Sequence, residues 1–261
     1  MTACKSIGGS IFGDGGVTAD LAAFVISKTT STPRRRVAFV THSMGGLIVR
    51  DMVAERWLPY KAIQSGMGIN QAPQVVGLAT LGTPHLGYPH LPDDDVAFNS
   101  ARTFGVGQNM CVNQMRDMAS NLSNGGPPDF PNITPFLVTI QSKFMLSDYN
   151  NKWFAAAGRA CQNPTRTSLV SFPLVTNGCR TSNPYSDSLV CDDSARLQYP
   201  NSTLTPSGDC IDFDRRYQHA PNMGNLILNV LCSTIPGAAS IHNPTLGDSL
   251  YRDLLEFLNG L

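Results

Sequence analysis

One stretch of the sequence has the makings of a nucleophile: VAFVTHSMGGLIVRDM, residues 37–52, in which Ser43 lies between two apolar runs. A serine hydroxyl attacks a carbonyl only if a neighbouring imidazole takes its proton, and the imidazole needs a carboxylate to fix its tautomer. The chemistry these residue types permit is acyl transfer: attack by serine, an acyl-enzyme, and its hydrolysis by water. The chain supplies five histidines for the base, His42, His85, His90, His219 and His242. His42 adjoins Ser43 and would point away from it, and His85 and His90 follow too soon, as loop or pocket-wall residues.

To present its hydroxyl, Ser43 needs a strand that delivers it, a very tight turn, and a helix that leaves at once. The flanking residues must be small, and the helix N-terminus lends positive potential to a developing anion. Val37–Thr41 is a short continuous apolar run, as in a strand buried on both faces of a parallel sheet. Gly45 and Gly46 follow the serine, and GGLIVRDMVAER reads as a helix. Thr41 stands where G-x-S-x-G has its first glycine, so the strict pattern is broken by a residue that is still small.

The surrounding elements alternate. Residues 17–30 carry helical spacing, VVGLATLG (75–82) reads as a second buried strand, and ITPFLVTIQ (133–141) as a third. Such alternation predicts an α/β domain with right-handed crossovers. Residues 143–209 are rich in Asn, Ser, Thr, Pro and Gly, and are expected to be a cap-like insertion with short helices such as NNKWFAAAGRA. CIDFDRRYQ (210–218) is the next strand candidate, NMGNLILNVLC a helix, and SLYRDLLEFLNG an amphipathic helix marked by Leu250, Leu254, Leu255 and Leu258. A single domain over 1–261 is expected, without internal repeats.

THSMGGLIVRDM followed by ATLGTPHLG resembles the bacterial triacylglycerol lipases and esterases of the α/β-hydrolase superfamily, and also the lipase-like deacylases of glycolipid anchors. The resemblance is sharp over residues 17–90. It implies a mostly parallel sheet with helices on both faces, and triad members in the order Ser, Asp or Glu, His. For the acid, YSDSLVCDDSARL matches such lipases at Asp187, Val190 and Ser194-Ala195, with Ser188 in place of glycine. Asp148 is the rival, with Asp192 and Asp193 behind it. For the base, His219 lies between a strand candidate and a helix candidate, and His242 precedes the last helix as the alternative.

The oxyanion needs two backbone N–H donors. Met44, after the nucleophile, supplies one. The other normally comes from a loop after an early strand, and the 42 residues before Ser43 leave no room for it, so the fold is expected to be shortened at its N-terminus. SIGGS (6–10) aligns better with the lead-in to the first helix. The calcium that such lipases often hold near the base has no matching Asp, because Pro221 stands there.

The implied function is a serine carboxylic-ester hydrolase acting on small-molecule or lipid esters. Acyl transfer, polyester or glycolipid deacylation on the same residues, and a catalytically impaired binding protein are the alternatives. Bulk properties narrow the rest. Lys+Arg and Asp+Glu both number 19, and Arg34–Arg36 is the only basic run, so no nucleic-acid partner is expected. There is no run of 18 apolar residues for a membrane span. The seven cysteines form no CxxC or Cys/His spacing, so neither metal nor cofactor is expected. Six of them follow residue 110, which favours disulfides and an oxidising compartment, with Cys4 left over. Residues 1–16 lack the apolar core of a signal peptide. The expected location is therefore secreted or periplasmic with its leader absent from this chain, or else cytoplasmic. Sequons occur at Asn121, Asn132 and Asn201. Nothing in the sequence fixes an oligomeric state.

Overall fold

The computed structural model describes residues 5–8, 15–31, 35–89, 114, 117–120, 134–143, 152–157, 161–162, 185–186, 190, 192–196, 210–211, 217–218, 239–240 and 248–261. Its elements run α1 (Gly16–Thr29), β1 (Arg36–His42), α2 (Met44–Ala54), α3 (Trp57–Gln64), β2 (Gln74–Leu81), β3 (Tyr88–Pro89) and β4 (Ala119–Ser120). There follow α4 (Pro135–Lys143), β5 (Trp153–Ala156), β6 (Cys161–Gln162), β7 (Tyr185–Ser186), α5 (Asp192–Ala195), β8 (Cys210–Ile211), β9 (Tyr217–Gln218), β10 (Ala239–Ser240) and α6 (Asp248–Asn259).

The main sheet has the order β1-β2-β5-β8, every pairing parallel. Successive residues of a strand face opposite sides, and the two faces are covered differently. Leu78 of β2 and Trp153 and Ala155 of β5 join Leu47, Met52, Trp57, Leu137 and Ile140 from α2, α3 and α4. Ala79, Phe154 and Ala156 pack instead against Leu254, with Phe257 and Leu258 beside it on α6. Helices therefore lie on both faces, as expected for this α/β architecture. Parallel strands also place all their carboxyl ends on one rim, where open α/β sheets bind ligands.

Three local expectations are corrected. ITPFLVTIQ, expected to be a strand, supplies instead a helix, α4 (Pro135–Lys143). Thr134 caps it, its Oγ1 accepting the Leu137 N–H at 3.3 Å, and Pro135 follows at the first helical position. Leu137, Ile140 and Gln141 are its buried residues, at helical spacing. Conversely, the NNKWFAAAGRA segment supplies a strand, β5, within the span expected to be an insertion. Its four residues are all buried, the strand lying between β2 and β8 with both faces covered, so it reads as a continuous apolar run. Lastly, β1 is not buried on both faces. Among the described residues it pairs only with β2, and its side chains alternate, Val40 being 48% exposed.

The readings for α1, α2, β2 and α6 fall on observed elements. In α6 Leu254 is buried, whereas Leu255 is 57% exposed and does not belong to the packed stripe. CIDFDRRYQ begins as β8 and ends as β9, which pairs in parallel with β10. NMGNLILNVLC lies outside the described residues, as do the cysteine side chains on which the disulfide expectation falls.

Candidate active site

Ser43 occupies the single residue between β1 and α2. Its φ of 52° and ψ of −131° lie outside the wells of an ordinary L-residue, a strain of about 1–3 kcal/mol that the surroundings must hold. They do so from both sides. The Ser43 N–H donates to Leu81 O at 3.0 Å, extending the β1–β2 ladder by one residue, and the Gly46 N–H donates back to Ser43 O at 3.2 Å. Ser43 is half-buried at the carboxyl rim, and Met44 opens α2, where first-turn amides lack intrahelical acceptors.

The two glycines after Met44 are not equivalent. A Cβ on Gly45 would meet the Thr41 Cβ at 3.5 Å, an ordinary contact, so threonine is tolerated there. Thr41 Oγ1 in turn donates to Ala79 O at 3.0 Å across the sheet. At Gly46 a Cβ would lie 2.3 Å from Thr83 Oγ1 and 2.9 Å from its Cβ. Gly46→Ala should therefore cost about 1–3 kcal/mol by overpacking. Thermal unfolding should show this loss, and adding Thr83→Ala should recover part of it.

Behind Ser43 lies a buried polar network that sequence reasoning missed. Arg50 and His85 are both fully buried. Arg50 Nη1 is 3.1 Å from His85 Nδ1, and Arg50 Nη2 donates to Gln141 Oε1 at 3.0 Å. A guanidinium only donates, so His85 Nδ1 accepts; the ring proton then sits on Nε2, 3.1 Å from Thr80 Oγ1. Burial first, and the Arg50 charge second, hold His85 well below the usual imidazole pKa. The ring also stacks at a tilt on Trp153, 5.1 Å between centroids. Gln141 Nε2 donates to His85 O at 2.8 Å, which ties the loop after β2 to α4. His85 is thus a neutral structural residue in a loop, as its early position suggested. The missed signal was Arg50-Asp51 inside the apolar run of α2, charges that a buried helix keeps only with partners.

The same loop is tied to α5. Ser194 Oγ accepts the Leu86 N–H at 3.0 Å and donates to Gly87 O at 2.7 Å, while Ser194 O accepts the His85 N–H at 3.2 Å. Val190 and Ala195 pack with Ala157, just beyond the carboxyl end of β5. Val190, Ser194 and Ala195 are thereby fixed beside the rim that carries Ser43. Leu86 is buried in the main cluster.

Asp187, Asp148, His219 and His242 lie outside the described residues, as does Pro221, and the side chains of Tyr88, Asp192 and Asp193 do too. His219 immediately follows β9, and His242 follows β10 by two residues, the two strands being paired. Among the described residues no group of three His, Cys, Asp or Glu could hold a metal ion, and no helix is long and apolar enough to cross a membrane.

Comparison with known proteins bears on the segment that holds Ser43. Residues 12–116 match the family described as "Putative serine esterase (DUF676)". The match spans α1, β1, the Ser43 turn, α2, α3 and β2. It agrees with the lipase- and esterase-like character of THSMGG and GTPHLG, and supports a serine hydrolase. No curated protein matches the chain. Among solved structures, the crystal structure of Bacillus licheniformis lipase BlEst2 in its mature form is similar at 18% identity, over 82% of this chain and 70% of that one, with a TM-score of 0.39.

Proposed function

We propose that the chain is a serine carboxylic-ester hydrolase in which Ser43 attacks the acyl carbonyl. The observation that carries this is the strained backbone of Ser43 at the carboxyl end of a parallel strand and the start of a helix. The matched esterase family covers that turn. Attack develops an oxyanion, which the Met44 N–H at the N-terminus of α2 holds in this reading. Asp187 is the acid and His219 the base, with Asp148 and His242 as their alternatives. Support for Asp187 comes from Ser194, which bonds to the loop after β2, and from Val190 and Ala195, which pack on Ala157 at the end of β5. The acyl-enzyme is then cleared by water, with the base returning its proton.

Hydrolysis of p-nitrophenyl esters of graded chain length tests the assignment. Wild type should turn over at least one of these esters, and His219→Ala should lower kcat by roughly 10³–10⁴ or more. Near-wild-type activity in His219→Ala, with loss in His242→Ala, would transfer the base to His242. Absence of turnover on every ester tried would remove the enzymatic assignment.

A further inference from the structure

Residues 5–8 lie across α1, α2 and α4. Ser6 O and Ile7 O accept the Val17 and Thr18 N–H groups, each at 3.0 Å, in place of the missing first turn of α1. The Ile7 N–H donates to Asp117 Oδ2 at 2.7 Å, and the Ile7 side chain is fully buried in the main cluster. Lys5 pairs with Asp20 at 2.7 Å on the surface. Gly8 presses on the second turn of α2. A Cβ there would come within 2.5 Å of the Phe136 ring and 2.6 Å of Asp51 Oδ2.

Asp51 is 2% exposed, and its Oδ2 has no hydrogen-bond donor among the described residues. Its carboxyl does contact the Thr18 hydroxyl, but that hydroxyl's single proton is directed to Ile7 O at 2.8 Å. A protonated Asp51 leaves that proton with Ile7. An ionised one can only compete for the proton that anchors Ile7. The charges facing it are Glu55 on α2, Lys143 on α4 and Asp117; the two acids oppose ionisation and the lysine, itself paired with Glu55 at 2.5 Å, favours it. Burial outweighs them all and pushes the Asp51 pKa from 3.8 up to about 7.

We propose that residues 5–8 are a proton-controlled clasp on the helix that follows Ser43, docked while Asp51 is protonated and released as it is hydrated and ionised. This goes beyond ester hydrolysis and does not depend on it. The docked state has the raised pKa, so docking is at full strength below pH ~4 and weakens as pH rises towards ~7. Up to one proton is released on opening, so docking weakens by up to about tenfold per pH unit in that window.

Amide hydrogen exchange at Val17 and Thr18, followed by NMR between pH 4.5 and 6.5, tests it. In wild type the logarithm of the exchange rate should climb by about two per pH unit, one from base catalysis of exchange and one from opening. Asp51→Asn should reduce the slope to about one. Gly8→Ala, which forces the segment away from Asp51, should also give a slope of about one, with faster absolute exchange. Low urea should leave Val17 and Thr18 unaffected while accelerating Leu78 in β2, because local opening exposes little surface. A wild-type slope of one, a steep slope surviving in either variant, or the same urea dependence at Val17, Thr18 and Leu78 would overturn the clasp.

Discussion

Ser43→Ala should lower the kcat for ester hydrolysis by on the order of 10⁴–10⁶, with KM changed little. The hydroxyl is the attacking atom, and losing a nucleophile removes most of the catalytic advantage while oxyanion donors and substrate binding remain. The backbone at this position makes a second, opposite expectation. Ser43 holds φ at 52° and ψ at −131°, which glycine adopts without penalty and other residues do not. Ser43→Gly should therefore be as inactive as alanine yet more stable than wild type, by about 1 kcal/mol or more. A serine that merely filled a glycine-rich loop would show the gain in stability without the loss of activity. Thermal unfolding and p-nitrophenyl ester kinetics on the same two variants separate these outcomes.

Arg50→Met should be the most destabilising single change in the site region. Methionine fills much of the same space but leaves His85 Nδ1 and Gln141 Oε1 without their donor. Each buried orphan costs about 1–3 kcal/mol, so a total near 3 kcal/mol is expected. In a domain of this size that lowers Tm by roughly 6–12 °C. Loss of the network also frees the loop from Gly82 to Gly87, which abuts Gly46 and lies beside Ser43. Activity should fall along with stability, and both should be worst at temperatures just below the new Tm. The tautomer makes a finer prediction. His85 should stay neutral with its proton on Nε2 in wild type where an ordinary imidazole would gain its second proton, which ¹⁵N NMR shifts of the ring would report.

Much of this arrangement is written in local sequence. The turn at Ser43 is legible because strand, small residues and helix follow one another within 16 residues, and every requirement is local. The two β strands of residues 36–42 and 74–81 are legible for the same reason, as continuous apolar runs. What escaped was partly local and partly set by distant partners. ITPFLVTIQ looks like a strand by its β-branched content, but Thr134 and Pro135 are a helix start signal, and its buried residues have helical spacing. WFAAA looks helical by its alanines, and it is the covering of both its faces, by α6 and by the other helices, that makes it a strand. The exposure of β1 was equally invisible, since a run of apolar residues does not tell how many strands will flank it. Arg50, Asp51 and His85 could be seen as residues but not as a system, because their partners Gln141, Thr18 and Ser194 lie far along the chain. The acid and base rest on order and motif, and on the tether that Ser194 provides to the loop beside Ser43.

The central claim is that Ser43 is the nucleophile, and covalent capture tests it most directly. The native protein is treated with a fluorophosphonate, digested with trypsin and mapped by mass spectrometry. One adduct is expected, on the peptide spanning residues 37–50, at Ser43, with loss of esterase activity in proportion to labelling and none of it in Ser43→Ala. Labelling of a different serine, or ester turnover by a protein whose Ser43 stays unmodified, would contradict the account.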